Sequence, residues 1–186
     1  LMTLEKSLLD QTLNGISKVL IDLLSLVNPL SFNRASRIRI YADHIVDQLN
    51  LESAWSIRLA AKLSQLGCIQ LPGEIIKKVY TADELSEEES DLFENQPLQR
   101  QQFLGHIPKL ENVALIIGKQ FINFSDYPVR AQSTESINEV ELGGQILKIA
   151  NGITKFESQK LNNEEIIQKL RVLSHEYNPK LVEKIT

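Results

Sequence analysis

An all-α fold is predicted by three features of this 186-residue sequence. Apolar residues recur at three- and four-residue spacing through most of the chain, the mark of helix faces turned to a core. Ser or Asn followed three residues later by Glu, as in Ser86 with Glu89 and Asn162 with Glu165, precedes several of these segments. That spacing lets two side chains close a helix N-terminus. No segment alternates apolar and polar residues as a half-buried strand does.

Thr3 to Val27 reads as one long amphipathic helix carrying Leu4, Leu8, Leu13, Leu20 and Leu24. Its apolar stripe is wider than a strict coiled-coil seam, which favours a first core helix. Its N-terminal half is also suited to pairing with a second subunit. Asn28-Pro29 is expected to end it. After a short loop, Ser36 to Leu49 forms a second helix with Ile38, Tyr41, Ala42, Ile45 and Val46 on one side. A turn over Asn50 to Ser53 leads to a third helix from about Ala54 to Leu66, with Ile57, Ala60, Ala61 and Leu63 on its apolar face. Gly67 can supply the left-handed geometry that ends it, and Pro72 delays the next helix. Gly73 to Val79 is a short helix. Thr81 with Glu84 and Ser86 with Glu89 both have capping-box spacing, so the run Glu87-Glu88-Glu89 reads as a helix start rather than a metal site. A helix through Leu92, Leu98 and Leu104 follows, with a bend expected at Pro97. Leu110 to Phe121 is an apolar helix, and Asn123 to Glu139 is the longest loop. Val140 to Phe156 is helical, and its Gly143-Gly144 pair is expected to let two backbones come close. The last two helices open at Asn162 and at Asn178-Pro179.

Composition narrows the function classes. A hydrophobic fraction of 42% supports a packed core. A net charge of -4 and pI near 5.5 leave no footprint for nucleic acid or an acidic membrane. Arg34, Arg37 and Arg39 make only a short cluster, expected to be solvated. The single cysteine, Cys68, excludes an internal disulfide framework and fits a reducing cytoplasm. It reads as a buried structural thiol. The longest apolar run, Val19 to Val27, is broken by Asp22 and Ser25, so no span is expected, and no secretory signal is visible. The first residue is Leu, as expected of a piece excised from a longer chain.

Taken in order, these segments resemble the HD-GYP branch of the HD-domain phosphohydrolases from about Asn14 to the C-terminus. The family shows two alanines, a leucine, His-Asp, Ile-Gly-Lys-Ile and a proline. This chain has Ala60-Ala61-Lys62-Leu63-Ser64-Gln65-Leu66-Gly67-Cys68-Ile69 and Pro72. The family's lysine-rich turn and Leu-Thr-x-x-Glu start are matched by Ile75-Ile76-Lys77-Lys78 and Leu85-Ser86-Glu87-Glu88-Glu89. Its His-Pro, leucine, Ile-Pro and Leu are matched by Gln96-Pro97, Leu104, Ile107-Pro108 and Leu110. Its closing Phe-Asp-Pro-x-Leu-Val is matched by Tyr177-Asn178-Pro179-Lys180-Leu181-Val182. The resemblance implies an HD-domain-like helical bundle over residues 28–186, with residues 1–27 as linker and first helix.

Such phosphohydrolases hold two or three metal ions with histidines and aspartates, and activate water against phosphodiesters, usually cyclic di-GMP. The departures decide what the resemblance implies here. Arg34 stands for a His, Ser64-Gln65 for His-Asp, Cys68 for a Lys, Gln96 for the next His, Gln120-Phe121 for a His pair and Asn151 for a late Asp. The Gly-Tyr-Pro signature is reduced to Asp126-Tyr127-Pro128, with its loop shortened. Neutral amides are poor ligands for a catalytic divalent ion and a guanidinium repels one. The expectation is therefore a pseudoenzyme with no metal and no cofactor. Arg34, Ser64, Gln65, Gln96, Gln120 and Asn151 are expected to converge, and a mutually satisfied buried network is favoured over a phosphate or nucleotide pocket.

Other residues read more simply. His44, His106 and His175 are scattered and expected at surfaces or helix ends, and Asp43 and Asp47 on a solvated face. Trp55 reads as a core or interface anchor. Ser64 has no accompanying His-Asp set and is a poor nucleophile candidate. The expected function is a cytoplasmic, non-catalytic signal-transduction output module of a bacterial response regulator or sensor protein. Its expected partners are other signalling proteins or an attached receiver or sensory domain, with a homodimer through the first helix. No nucleic-acid or membrane partner is expected. An active phosphohydrolase with displaced ligands and a metal-free nucleotide or anion sensor are the alternatives.

Overall fold

The computed structural model describes residues 2–51, 54–81, 83–132 and 137–185, with the side chains at 2–7, 9, 10, 96–103 and 130 left aside. Among the described residues it contains helices and turns only, so the class is all-α. The helices are α1 (Met2–Val27), α2 (Pro29–Gln48), α3 (Trp55–Leu63), α4 (Gly73–Thr81) and α5 (Glu87–Gly105), then α6 (Glu111–Gly118), α7 (Glu139–Ser158), α8 (Asn163–Val172) and α9 (Pro179–Lys184). Among the described residues no helix is long and apolar enough to cross a membrane.

The centre is a ring in which α2 packs on α3 and α7, while α6 closes the circuit against both. Ile38 and Ile45 of α2, Ile57 and Leu63 of α3, Ile116 and Ile117 of α6, and Ile146 and Ile149 of α7 are fully buried there. α1 is held to the ring by Leu13, with Leu20 and Ile21 packed beside it, and Leu24 is also buried, while Leu8, Val19, Leu23 and Leu26 stay exposed. A smaller cluster of Cys68, Ile75, Ile76 and Phe93 ties α4 and α5 to the segment after α3. The capping boxes at Ser86 and at Asn162 form, and a third closes α7 through Asn138 and Glu141.

Several boundaries differ from the sequence expectation. Asn28-Pro29 starts a helix instead of introducing a loop. The Asn28 side chain accepts from the Ser31 amide at 3.0 Å, and Pro29 occupies the first turn, where a missing N–H costs nothing. The third helix ends at Leu63, and Leu66–Gln70 continues as a 3₁₀ turn. No glycine among the described residues has positive φ, so Gly67 is not a left-handed cap. Instead Leu71 is extended (φ -85, ψ 148), as a residue before proline must be, and that terminates the turn. Thr81 ends α4 and bonds Asp83 rather than capping a new helix. α6 stops at Gly118, short of Phe121, and α7 begins at Glu139. The long loop contains 3₁₀ turns at Phe124–Asp126 and Val129–Gln132, while its 133–136 portion lies outside the described residues. Trp55 is 44% exposed and is no core anchor.

The two adjacent glycines of α7 do allow close approach, chiefly to side chains, with the Lys119 carbonyl the one backbone atom among the nearest, 3.5 Å from a Cβ on Gly144. A Cβ on Gly143 would sit 2.9 Å from Ile116 Cγ1, and one on Gly144 would sit 2.5 Å from the Tyr127 hydroxyl and 2.6 Å from Lys119 Cβ. Tyr127 thereby packs its whole ring beneath the loop, 4% exposed.

Candidate functional site

Arg34 is on the inward stripe of α2, one turn from Ile38, because the helix starts at Pro29. It is only 7% exposed, which corrects the expectation of a solvated side chain for Arg34, while Arg37 and Arg39 are open to solvent as expected. Asn151 faces it from α7, and Gln120 sits in the turn that follows α6. Ser64 caps the C-terminal end of α3, with Gln65 next in the chain. The central ring thus brings together polar residues separated by more than 100 positions.

A continuous path of hydrogen bonds joins them. Arg34 Nη2 donates to Asn151 Oδ1 at 3.4 Å, and Asn151 Nδ2 donates to Gln120 Oε1 at 3.2 Å and to the Leu147 carbonyl at 3.0 Å. Gln120 Nε2 donates to the Ser64 carbonyl at 3.2 Å. Gln65 Nε2 reaches Ser64 Oγ at 3.4 Å, and the buried Cys68 thiol donates to Gln65 Oε1 at 3.5 Å. Five of the six singled-out residues therefore lie in one buried network. Gln96 falls on α5, and its side chain is outside the described ones.

The network leaves one group poorly served. Arg34 Nε is buried with no hydrogen-bond partner, and no described carboxylate pairs with the guanidinium. Its carbon lies 6.0 Å from the Phe93 ring centroid, a weak substitute for a counter-charge. Burial pulls the guanidinium down to about 10, with Cys68 opposing and Arg37 adding to the effect. It therefore remains cationic at neutral pH.

Beside Arg34 and Asn151 opens a cavity of about 400 Å³ walled also by Phe93, Phe121, Lys148 and Tyr177. Ser64, Gln65 and Gln120 do not reach it. Lys148 is already engaged, donating to the Phe121 carbonyl at 3.0 Å and to Asn123 Oδ1 at 2.9 Å. Its ammonium is lowered by burial, with Glu176 at 4.0 Å opposing. Tyr177 stands upright because Gly152 leaves room for it: a Cβ there would lie 2.7 Å from the ring. Sequence reasoning missed Phe93, Lys148 and Tyr177 as wall residues. For Arg34 the signal was present, since Asn-Pro at a helix start would have put it in register with Ile38.

Among the described residues no three His, Cys, Asp or Glu side chains are grouped to hold a metal ion. Where the resemblance implies metal ligands, the donors are amides and a hydroxyl, and a buried cation occupies the same neighbourhood. That set does not fit a divalent ion, which needs anionic or imidazole ligands. His44, His106 and His175 are all exposed, as expected of surface residues. Asp43 and Asp47 lie on a face open to solvent, where Arg58 pairs with both at 2.9 and 2.6 Å.

A family model described as HD domain matches residues 18–175, and the chain belongs to that family. No curated protein and no solved structure gives a significant match to it.

Proposed function

We propose that this HD domain is a degenerate HD-GYP-like module that has given up catalysis and serves signal transduction. The observation that carries the reading is the buried path from Arg34 through Asn151 and Gln120 to Ser64. Catalysis by metal-activated water requires ligands that bind a divalent ion and lower the pKa of its water. Amides already committed to one another supply neither charge nor an open coordination position.

The role of a signalling output is supported by α1. Its inner side is anchored by Leu13 and Leu24, while Leu8, Val19, Leu23, Leu26 and Val27 are left exposed. Such a helix suits a connection to a receiver or sensory domain and pairing in a homodimer, with movement passed to α2 and α3. We place the module in the cytoplasm, in a bacterial response regulator or a similar sensor protein. Turnover of bis(p-nitrophenyl) phosphate by purified protein with added manganese, together with metal analysis, tests the reading. The expected result is no rate above buffer and no stoichiometric metal. Manganese-dependent turnover would restore the alternative of an active phosphohydrolase.

A further inference from the structure

We propose that the cavity beside Arg34 is a binding site for a small organic monocarboxylate with a flat apolar body. The inference is independent of the signalling reading, because it concerns what the cavity holds and not what the domain does next.

Arg34 lacks a counter-charge among the described residues. A buried guanidinium has five N–H donors arranged to grip an oxyanion. Arg34 uses one of them, at 3.4 Å, on a neutral amide, and its Nε has no partner. An ion left that way inside a protein is costly unless a counter-charge arrives. Both groups that flank the guanidinium, Asn151 and Phe93, line the cavity, so it stands at the cavity wall. Lys148 does not compete for an anion in the same way, being held by Phe121 O, Asn123 Oδ1 and Glu176.

Aromatic rings line the cavity. Phe93 and Phe121 pack against each other at 5.4 Å between centroids, and Tyr177 faces the same space. Val79 and Leu85 add aliphatic surface. The volume of about 400 Å³ lies near the lower end of the range for small-molecule sites. A compact, flat body can lie against this aromatic wall with its anionic end on Arg34.

The charges at the rim favour carboxylate over phosphate. Asp83, Glu84 and Glu94 line the same cavity and are exposed, against Lys155 as the one exposed lysine or arginine of its lining, so its outer part is acidic on balance while its inner wall is cationic. A phosphate monoester, with its second negative charge, is repelled by that rim about twice as strongly as a single carboxylate, which can direct its one charge inward to Arg34. A ligand that also carries an amino group would place it among the rim carboxylates.

The test is an amide-resolved NMR titration of the chain in EDTA with phenylacetate, phenylacetamide and adenosine monophosphate. Phenylacetate is expected to give saturable shifts around Phe93, Phe121 and Asn151 with a dissociation constant near or below about 1 mM. The neutral amide is expected to bind at least about tenfold more weakly, the value of a charge-assisted hydrogen bond. Arg34→Met should lose a similar factor, and the amide comparison needs no variant should that one fail to fold. No saturable shift, equal affinity for the amide, undiminished binding by a folded Arg34→Met, or tighter binding of the nucleotide at the same amides would each overturn the proposal.

Discussion

Arg34→Met should make the ligand-free domain more stable. Burial lowers the guanidinium to about 10, a change that corresponds to about 3 kcal/mol against its charged form in the fold. The sign follows from which state suffers. Below about pH 10 the arginine is charged both folded and unfolded, so the whole penalty falls on the fold at pH 7. It is relieved as the pH rises through the folded value. Against this, methionine forfeits the 3.4 Å bond to Asn151, worth about 1 kcal/mol or less at that length. It also gives up the contact with Phe93, worth about 0.5–1 kcal/mol, although a thioether beside that ring recovers part of it. Asn151 keeps its bonds to Gln120 and Leu147. The net expectation is a gain of about 1–2 kcal/mol, or about 2–8 °C in Tm for a chain of this size. Urea unfolding at pH 7 should show a higher midpoint at unchanged m-value. The gap to the wild type should begin to narrow above about pH 10. A variant less stable than wild type by more than about 1 kcal/mol would refute the reasoning, because it would mean that the charge is already compensated.

Three further substitutions probe the frame around the site. Gly144→Ala would bring a Cβ to 2.5 Å from the Tyr127 hydroxyl and 2.6 Å from Lys119 Cβ, and thermal unfolding should show a loss of about 1–3 kcal/mol despite alanine's better helix propensity. The Tyr127 hydroxyl is buried with no partner, and burial, with Glu141 adding, holds the phenol above its ordinary range. Tyr127→Phe should therefore be neutral or stabilising by about 1 kcal/mol in the same assay. Asn162→Ala removes the capping box of α8, whose two bonds are 2.8 and 3.0 Å, and should cost about 1 kcal/mol in urea unfolding.

The helical class was legible because helix periodicity is a local property. Ile57, Ala60, Ala61 and Leu63 declare one face of α3 wherever that helix is placed, and capping pairs such as Asn162 with Glu165 mark a start within a single turn. Boundaries were harder where one signal has two meanings. Asn-Pro both ends helices and starts them, and here it does both: α1 stops at Val27, as expected, and the Asn28 bond to the Ser31 amide opens α2 at once, with no loop between. A glycine after an apolar helix suggests a left-handed cap, yet at Gly67 the chain turns by 3₁₀ geometry and Leu71-Pro72 ends it.

By itself the sequence determined the all-α class, the succession of helices and the identity of polar residues such as Arg34, Gln120 and Asn151. Those are matters of local spacing and of residue chemistry. Only the tertiary structure decided that Arg34 points inward beside Asn151, that Gln120 links it to Ser64, and that Phe93 and Tyr177 leave a cavity at its side. The reason is distance along the chain. Arg34 and Asn151 lie on different helices 117 positions apart, and no periodicity within either helix says what the other will bring against it.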